Sequence, residues 1–264
     1  MSADERQVHE HLLASDRDHV RTLRIDREDK LGALSSGLVA ALGEQVDDFA
    51  RSDARVLVLT GTGRGFIAGA DVTEYHGVDT QTFVAYQHRS RAVFDALATV
   101  PKPTIAAVNG YAFGGGFEVA LCCDIVLASD DATFALPEVK LGLVPGGGGT
   151  QRLARQAGPR FAAEVAMTGR AVTAAEAERR GIVREVVPGA ELVGRALEVA
   201  GVLARRAPVA LAALKRLTAA ADDLALPDGL TAEQATLAAV FETADAREGI
   251  EAFVAKRRPT FQGK

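Results

Sequence analysis

Three short apolar runs recur along the chain: RVLVLT (55–60), TIAAV (104–108) and DIVLA (124–128). Rich in β-branched and small apolar residues, they read as strands, RVLVLT as a buried one. Between them lie glycine-rich turns and stretches with helical periodicity. That recurrence constrains the fold most, because strands interleaved with helices require a layered α/β core. An earlier alternating run, Val20 to Ile25, reads as a further strand. A helix capped by Ser35 or Ser36 is expected to run to about Arg51, with Leu38, Leu42, Val46 and Phe49 on its buried face. A second helix, over Thr80 to Val100, stops at the Pro101–Pro103 breaker.

The pattern changes from about Gly146. Turn and cap signals in GGGGTQRLARQAGPRF lead into helix, then a short helix over Thr173–Arg180 and a strand over Glu185–Val187. After Pro188 the spacing predicts helices over about 190–206, 208–222, 231–243 and 245–257, punctuated by Pro208 and Pro227. The chain therefore divides into an α/β core over residues 1–200 and a helical region over residues 201–264.

Composition removes several function classes. A net charge of −5 with no basic stripe argues against nucleic acid, and the absence of Trp leaves little for base stacking. No apolar run approaches the length of a membrane span. Cys122 and Cys123 are adjacent and form no disulfide framework, which suits a reducing compartment. The opening MSADERQVHEHLLASDRDHV reads as a polar arm without the apolar segment of a signal peptide. A cytoplasmic location is the resulting expectation. The five histidines (His9, His11, His19, His76, His88) lack metal-ligand spacing, so no metal is expected.

Two glycine-rich segments invite chemistry. GTGRGFIAGAD (61–71) follows the first buried run, but Phe66 stands where a dinucleotide loop needs glycine. No P-loop and no G-x-S-x-G elbow occurs elsewhere. The second segment, NGYAFGGGFEVALCCD (109–124), places Gly114-Gly115-Gly116 before a short helix. Glycine there admits close approach and leaves the first helical N–H groups free for an oxygen that gains charge. A second donor from Gly69-Ala70-Asp71 would complete an oxyanion hole, in which losing one donor typically costs about 3 kcal/mol of transition-state stabilisation. Close helix packing explains the same glycines without any ligand. Glu118 follows the triplet, and Glu138 lies between Pro137 and another glycine run. Two carboxylates facing one apolar cavity push their pKa values apart and yield one acid and one base. Taken alone, Glu138 reads as a solvated residue after a proline or as a partner for Lys140.

The run IAAVNGYAFGGGFEVALCCDI (105–125) resembles the signature of the enoyl-CoA hydratase/isomerase (crotonase) family. The likeness extends to VLTGTGRGFIAGAD before it, to FALPEVKLGLVPGGGGTQRL and MTGRAVTAAEAERRGIVREVVP after it, and to REGIEAFVAKR near the C-terminus, covering most of residues 20–260. The resemblance implies a crotonase-like superhelical core of repeated ββα units. It also implies a C-terminal helical oligomerisation region and a homotrimer, or a hexamer built as a dimer of trimers. It places the oxyanion-hole amides on Ala70 and Gly115 and the catalytic glutamates on Glu118 and Glu138. Possession of both glutamates implies an enoyl-CoA hydratase acting on a trans-2-enoyl-CoA, with CoA as part of the substrate and no separate cofactor. Related readings are a Δ3–Δ2 enoyl-CoA isomerase or a specialised 3-hydroxyacyl-CoA dehydratase, such as one for a carnitine derivative. A different class is a non-catalytic acyl-CoA-binding or RNA-binding protein on the same fold. Arg27, Lys30, Ala68, Asp71, Phe253 and Lys256 are the candidate substrate and CoA contacts, the last two toward a neighbouring subunit's CoA. The chain departs from the family at Glu28 and Gly32, where Pro and Asn are common, and at Thr73, where some relatives carry Lys.

Overall fold

The computed structural model describes residues 5–264; residues 1–4, the start of the polar opening stretch, lie outside it. From Arg6 onward the opening is not a loose arm. Strands β1 (Arg6–His9), β2 (Leu12–Arg17) and β3 (Val20–Ile25) form an antiparallel meander. Leu12, Leu13 and Ala14 are buried, and β2 turns into β3 through Asp18 and His19, both at positive φ. The scarcity of large apolar residues before Leu12 hides this sheet edge in the sequence.

Helix α1 (Ser36–Arg51) is capped by Ser35, whose side chain accepts from the Leu38 amide, and it buries Leu38, Leu42, Val46 and Phe49. Then a unit repeats three times. A long strand enters one sheet, a three-residue strand enters another, and helix follows. In the first unit these are β4 (Val56–Gly61), β5 (Gly65–Ile67) and α2 (Thr80–Thr99). In the second they are β6 (Thr104–Val108), β7 (Tyr111–Phe113) and α3 (Gly115–Cys122). The third has β8 (Ile125–Ser129) and β9 (Thr133–Ala135), followed by α4 (Gly149–Ala157) and α5 (Pro159–Thr168). Strand β10 (Ala171–Thr173), helix α6 (Ala174–Arg179) and strand β11 (Glu185–Val187) close the series. The seven-stranded sheet runs β1-β2-β3-β4-β6-β8-β11, and the four-stranded sheet runs β10-β9-β7-β5. Within the repeats the pairings β4–β6–β8 and β5–β7–β9 are all parallel.

Alternation along β4 divides the core in two. Leu57 and Leu59 join the large cluster with α1, α2 and α3. Val56 and Val58 face α7 (Leu192–Ala204), which covers the other side of the sheet with Leu192, Ala196, Val199 and Ala200. Helix α7 therefore crosses residue 200 while packed on the sheet. Helices α8 (Pro208–Ala220), α9 (Leu226–Phe241) and α10 (Ala244–Val254) complete the chain. Helix α9 starts five residues before the expected 231, because Pro227 sits in its first turn, where a missing N–H is harmless. Among the described residues, no helix is long and apolar enough to cross a membrane.

Candidate active site

Parallel pairing of β5, β7 and β9 brings the loops after their C-terminal ends side by side. The first loop carries Ala68, Gly69 and Ala70, the second Gly114 and Gly115, the third Pro137 and Glu138. With helix α2 they enclose a cavity of about 140 Å³, lined by Ala70, Gly115, Glu118 and Glu138 and walled in part by Tyr86 and Phe94.

The glycine triplet serves packing and the cavity at once. Gly114 caps α3 at φ 51° and ψ −120°, a conformation essentially reserved for glycine, and a Cβ there would lie 3.0 Å from Glu138 Oε1. A Cβ on Gly116 would stand 1.9 Å from the Ile67 carbonyl, so α3 can rest on β5 only without one. Gly115 is the first residue of α3, and its N–H has no intrahelical acceptor. On the neighbouring loop, Leu34 and Ala70 form an isolated parallel bridge. Its bonds run from Leu34 N to Gly69 O and from Asp71 N to Leu34 O, each 2.8 Å, which leaves the Ala70 amide outside the pairing.

The two carboxylates occupy unlike surroundings. Glu118 is 3 % exposed, and its Oε1 accepts from the amides of Gly147 and Gly149, each at 2.8 Å. These donors sit at the start of α4, where the helix dipole favours an anion. Burial raises the pKa of Glu118; the two amide bonds and the positive charges of Arg152 and Arg91 oppose that rise. Glu138 opens a 3-10 turn over Glu138–Leu141. Its Oε2 is buried without a hydrogen-bond partner. Burial, reinforced by the charge of Glu118, pushes its pKa up to about 7. Glu118 therefore has the fixed donors of an anion, whereas Glu138 sits where a carboxyl keeps its proton near neutrality. One such pair can remove a proton on one side of a bound molecule and deliver one on the other.

Ala68 also lines the cavity, but the other expected substrate contacts lie elsewhere. Arg27 and Asp71 form an internal ion pair of 2.8 Å, with side chains 13 % and 8 % exposed. Arg27 also donates to the Ala33 carbonyl, and Asp71 accepts from Thr73 Oγ1, so both brace the loop behind Ala70. Lys30 is exposed on a 3-10 turn. Phe253, 85 % exposed, and Lys256 lie at the end of α10, outside the cavity lining. The run Gly146–Gly149, legible in the sequence as turn and cap signals, is in addition the cradle of Glu118, which the sequence reading does not anticipate. The signal was present as four consecutive glycines directly before a helix.

A family model described as enoyl-CoA hydratase/isomerase matches residues 16–264. A probable mitochondrial enoyl-CoA hydratase of Dictyostelium discoideum is 40 % identical over 246 residues, 93 % of this chain and 88 % of that protein. A 2,3-dehydroadipyl-CoA hydratase of Escherichia coli K12 is 38 % identical over 255 residues, 96 % of this chain and 99 % of that one. A solved enoyl-CoA hydratase subunit from Geobacillus kaustophilus HTA426 superposes with a TM-score of 0.92 at 42 % identity, covering 98 % of this chain and 100 % of its own.

Proposed function

The chain belongs to the enoyl-CoA hydratase/isomerase family, and we propose that its cavity adds water reversibly across the double bond of a trans-2-enoyl-CoA thioester. The observation that carries this reading is the pair of unlike carboxylates, buried Glu118 and half-buried Glu138, lining one cavity with Ala70 and Gly115.

The thioester carbonyl accepts hydrogen bonds from the amides of Ala70 and Gly115. Those bonds strengthen as the oxygen gains enolate charge, so they favour the transition state over the ground state. Glu118 takes a proton from a water as the water oxygen bonds to C3. The π electrons move toward C2 and the carbonyl, and Glu138 delivers its proton to C2. Glu118 ends protonated and Glu138 ionised; proton exchange with solvent restores both. CoA enters as part of the substrate, and the scheme calls for no separate cofactor. Retention of both carboxylates favours hydration over double-bond isomerisation, which needs a proton moved but no water activated.

Assembly into a trimer or a hexamer, and a cytoplasmic location, belong to the same reading. Helix α9 buries none of its residues within the chain, and Leu226, Leu237, Phe241 and Phe253 are largely exposed. In such an assembly Phe253 and Lys256 reach toward a neighbour's CoA.

The function is tested with a panel of trans-2-enoyl-CoA and 3-enoyl-CoA thioesters, read at the conjugated thioester absorbance, which falls on hydration of a 2-enoyl substrate and rises on isomerisation of a 3-enoyl one. The expected result is hydration of at least one trans-2-enoyl-CoA to the 3-hydroxyacyl-CoA. Turnover restricted to isomerisation of the 3-enoyl substrates, or no turnover at all, contradicts the reading.

A further inference from the structure

Three charged side chains behind the cavity lie outside the scheme above. Arg152 of α4 donates through Nη2 to Asp95 Oδ1 at 2.8 Å, and Arg91 donates through Nε to Asp95 Oδ2 at 2.8 Å. Asp95 and Arg91 both belong to α2. Arg152 is one turn into the helix whose opening amides hold Glu118, and its N–H bonds the Gly148 carbonyl at 2.8 Å. Its side chain folds back over Gly148, with Nε 3.0 Å from the Cβ position there. Phe94, adjacent to Asp95, fills the space against Gly147. Helix α2 thus grips the glycine cradle twice, through the Phe94 ring and through the Asp95–Arg152 ion pair.

We infer that Arg152, anchored by Asp95 and Arg91, is a positioning residue for Glu118: it fixes the Gly147–Gly149 amides under the carboxylate and supplies the positive field in which that carboxylate works. The inference rests on the reading of Glu118 as the base of the hydration.

Geometry and charge agree on this assignment. An ion pair that is partly shielded is worth more than one in open water, and the Arg152 side chain is 24 % exposed. The titratable or charged groups that act on Glu118 are Glu138 from the 3-10 turn, Arg91 from α2, Arg152 from α4 and Cys122 from its own helix, with Asp95 of α2 behind the two arginines. Burial pushes the Cys122 thiol up to about 12, so it adds no charge at neutral pH. Glu138 works against the charged form of Glu118, and the two arginines work for it. Asp95 holds the arginines together without itself approaching the cavity lining.

The test compares Arg152→Gln and Arg152→Lys with the unaltered enzyme, each checked for folding by thermal melting before kinetics. For Arg152→Gln the acid limb of the kcat/KM profile is expected to move toward neutrality by about half a pH unit or more, because a favourable charge has been removed. Its kcat is expected to fall about tenfold or more as the cradle loosens. Arg152→Lys keeps the charge, and its acid limb is expected to stay in place. An acid limb that does not move in Arg152→Gln overturns the inference, whatever the rate. If Arg152→Gln fails to fold, Arg91→Gln decides instead. Arg91 is about half exposed, so its replacement leaves the core intact; a smaller shift in the same direction is expected, and no shift overturns the inference. Failure of the underlying reading shows itself separately, as undiminished hydration by Glu118→Gln.

Discussion

A single orphaned oxygen, Oε2 of Glu138, sets that carboxyl apart from Glu118. A carboxylate oxygen buried without a partner is costly to charge, so burial, reinforced by the charge of Glu118, holds the proton on Glu138 up to about pH 7. The consequence for stability has a definite sign. The folded pKa of Glu138 lies above its ordinary value of 4.5, so the native state binds this proton more tightly than the unfolded chain. The stabilising contribution is complete below about 4.5 and is lost as pH rises through about 7. Glu138→Gln has no proton to lose. Its melting temperature relative to the unaltered protein is expected to rise between about pH 5 and about pH 8. A difference in melting temperature that stays constant over that range contradicts the placement of Glu138. Glu118 and Glu138 are both visible in the sequence as carboxylates in apolar settings. What separates acid from base is not, because the Gly147 and Gly149 amides reach Glu118 only once α4 packs beside α3.

Elements were legible in proportion to their periodicity. Helix α1 showed both its cap and its buried face, and β4, β6 and β8 showed as β-branched runs. Of the three-residue strands, β5 lies in a stretch that reads as a glycine-rich loop, and β7 and β9 show no strand signal of their own. Three residues carry no measurable alternation, and their identity comes from pairing with one another. These are the strands that aim the cavity loops, so the element that builds the site was the least readable. The C-terminal helices were readable as helices, and their partners were not. Helix α9 leaves Leu226, Leu230, Leu237 and Phe241 more than half exposed, an apolar surface of the kind that marks association. Light scattering on the intact protein is expected to give the mass of three or six chains. A monomer at assay concentration contradicts the proposed role of this region.

At the scale of the whole molecule, three repeats of one strand–strand–helix unit converge their loops on one cavity, and each loop brings its own residues to the lining. The first brings Ala70, the second Gly115 with Glu118 just beyond it, the third Glu138. RVLVLT, TIAAV and DIVLA are legible as strands, whereas the repeat of the unit was implied by the family resemblance alone; the convergence of the loops is a property of the second sheet. In the proposed reaction the two glutamates are partners in one event, the addition of one water across one double bond. Residues that act as a unit lose activity together, so removing the second after the first costs little more. The direct measurement is hydration of a trans-2-enoyl-CoA by Glu118→Gln, Glu138→Gln and the double variant. Each single variant is expected to lose about a hundredfold or more, and the double variant to fall within about tenfold of the slower single one. Hydration by either single variant within about threefold of the unaltered enzyme would contradict the account.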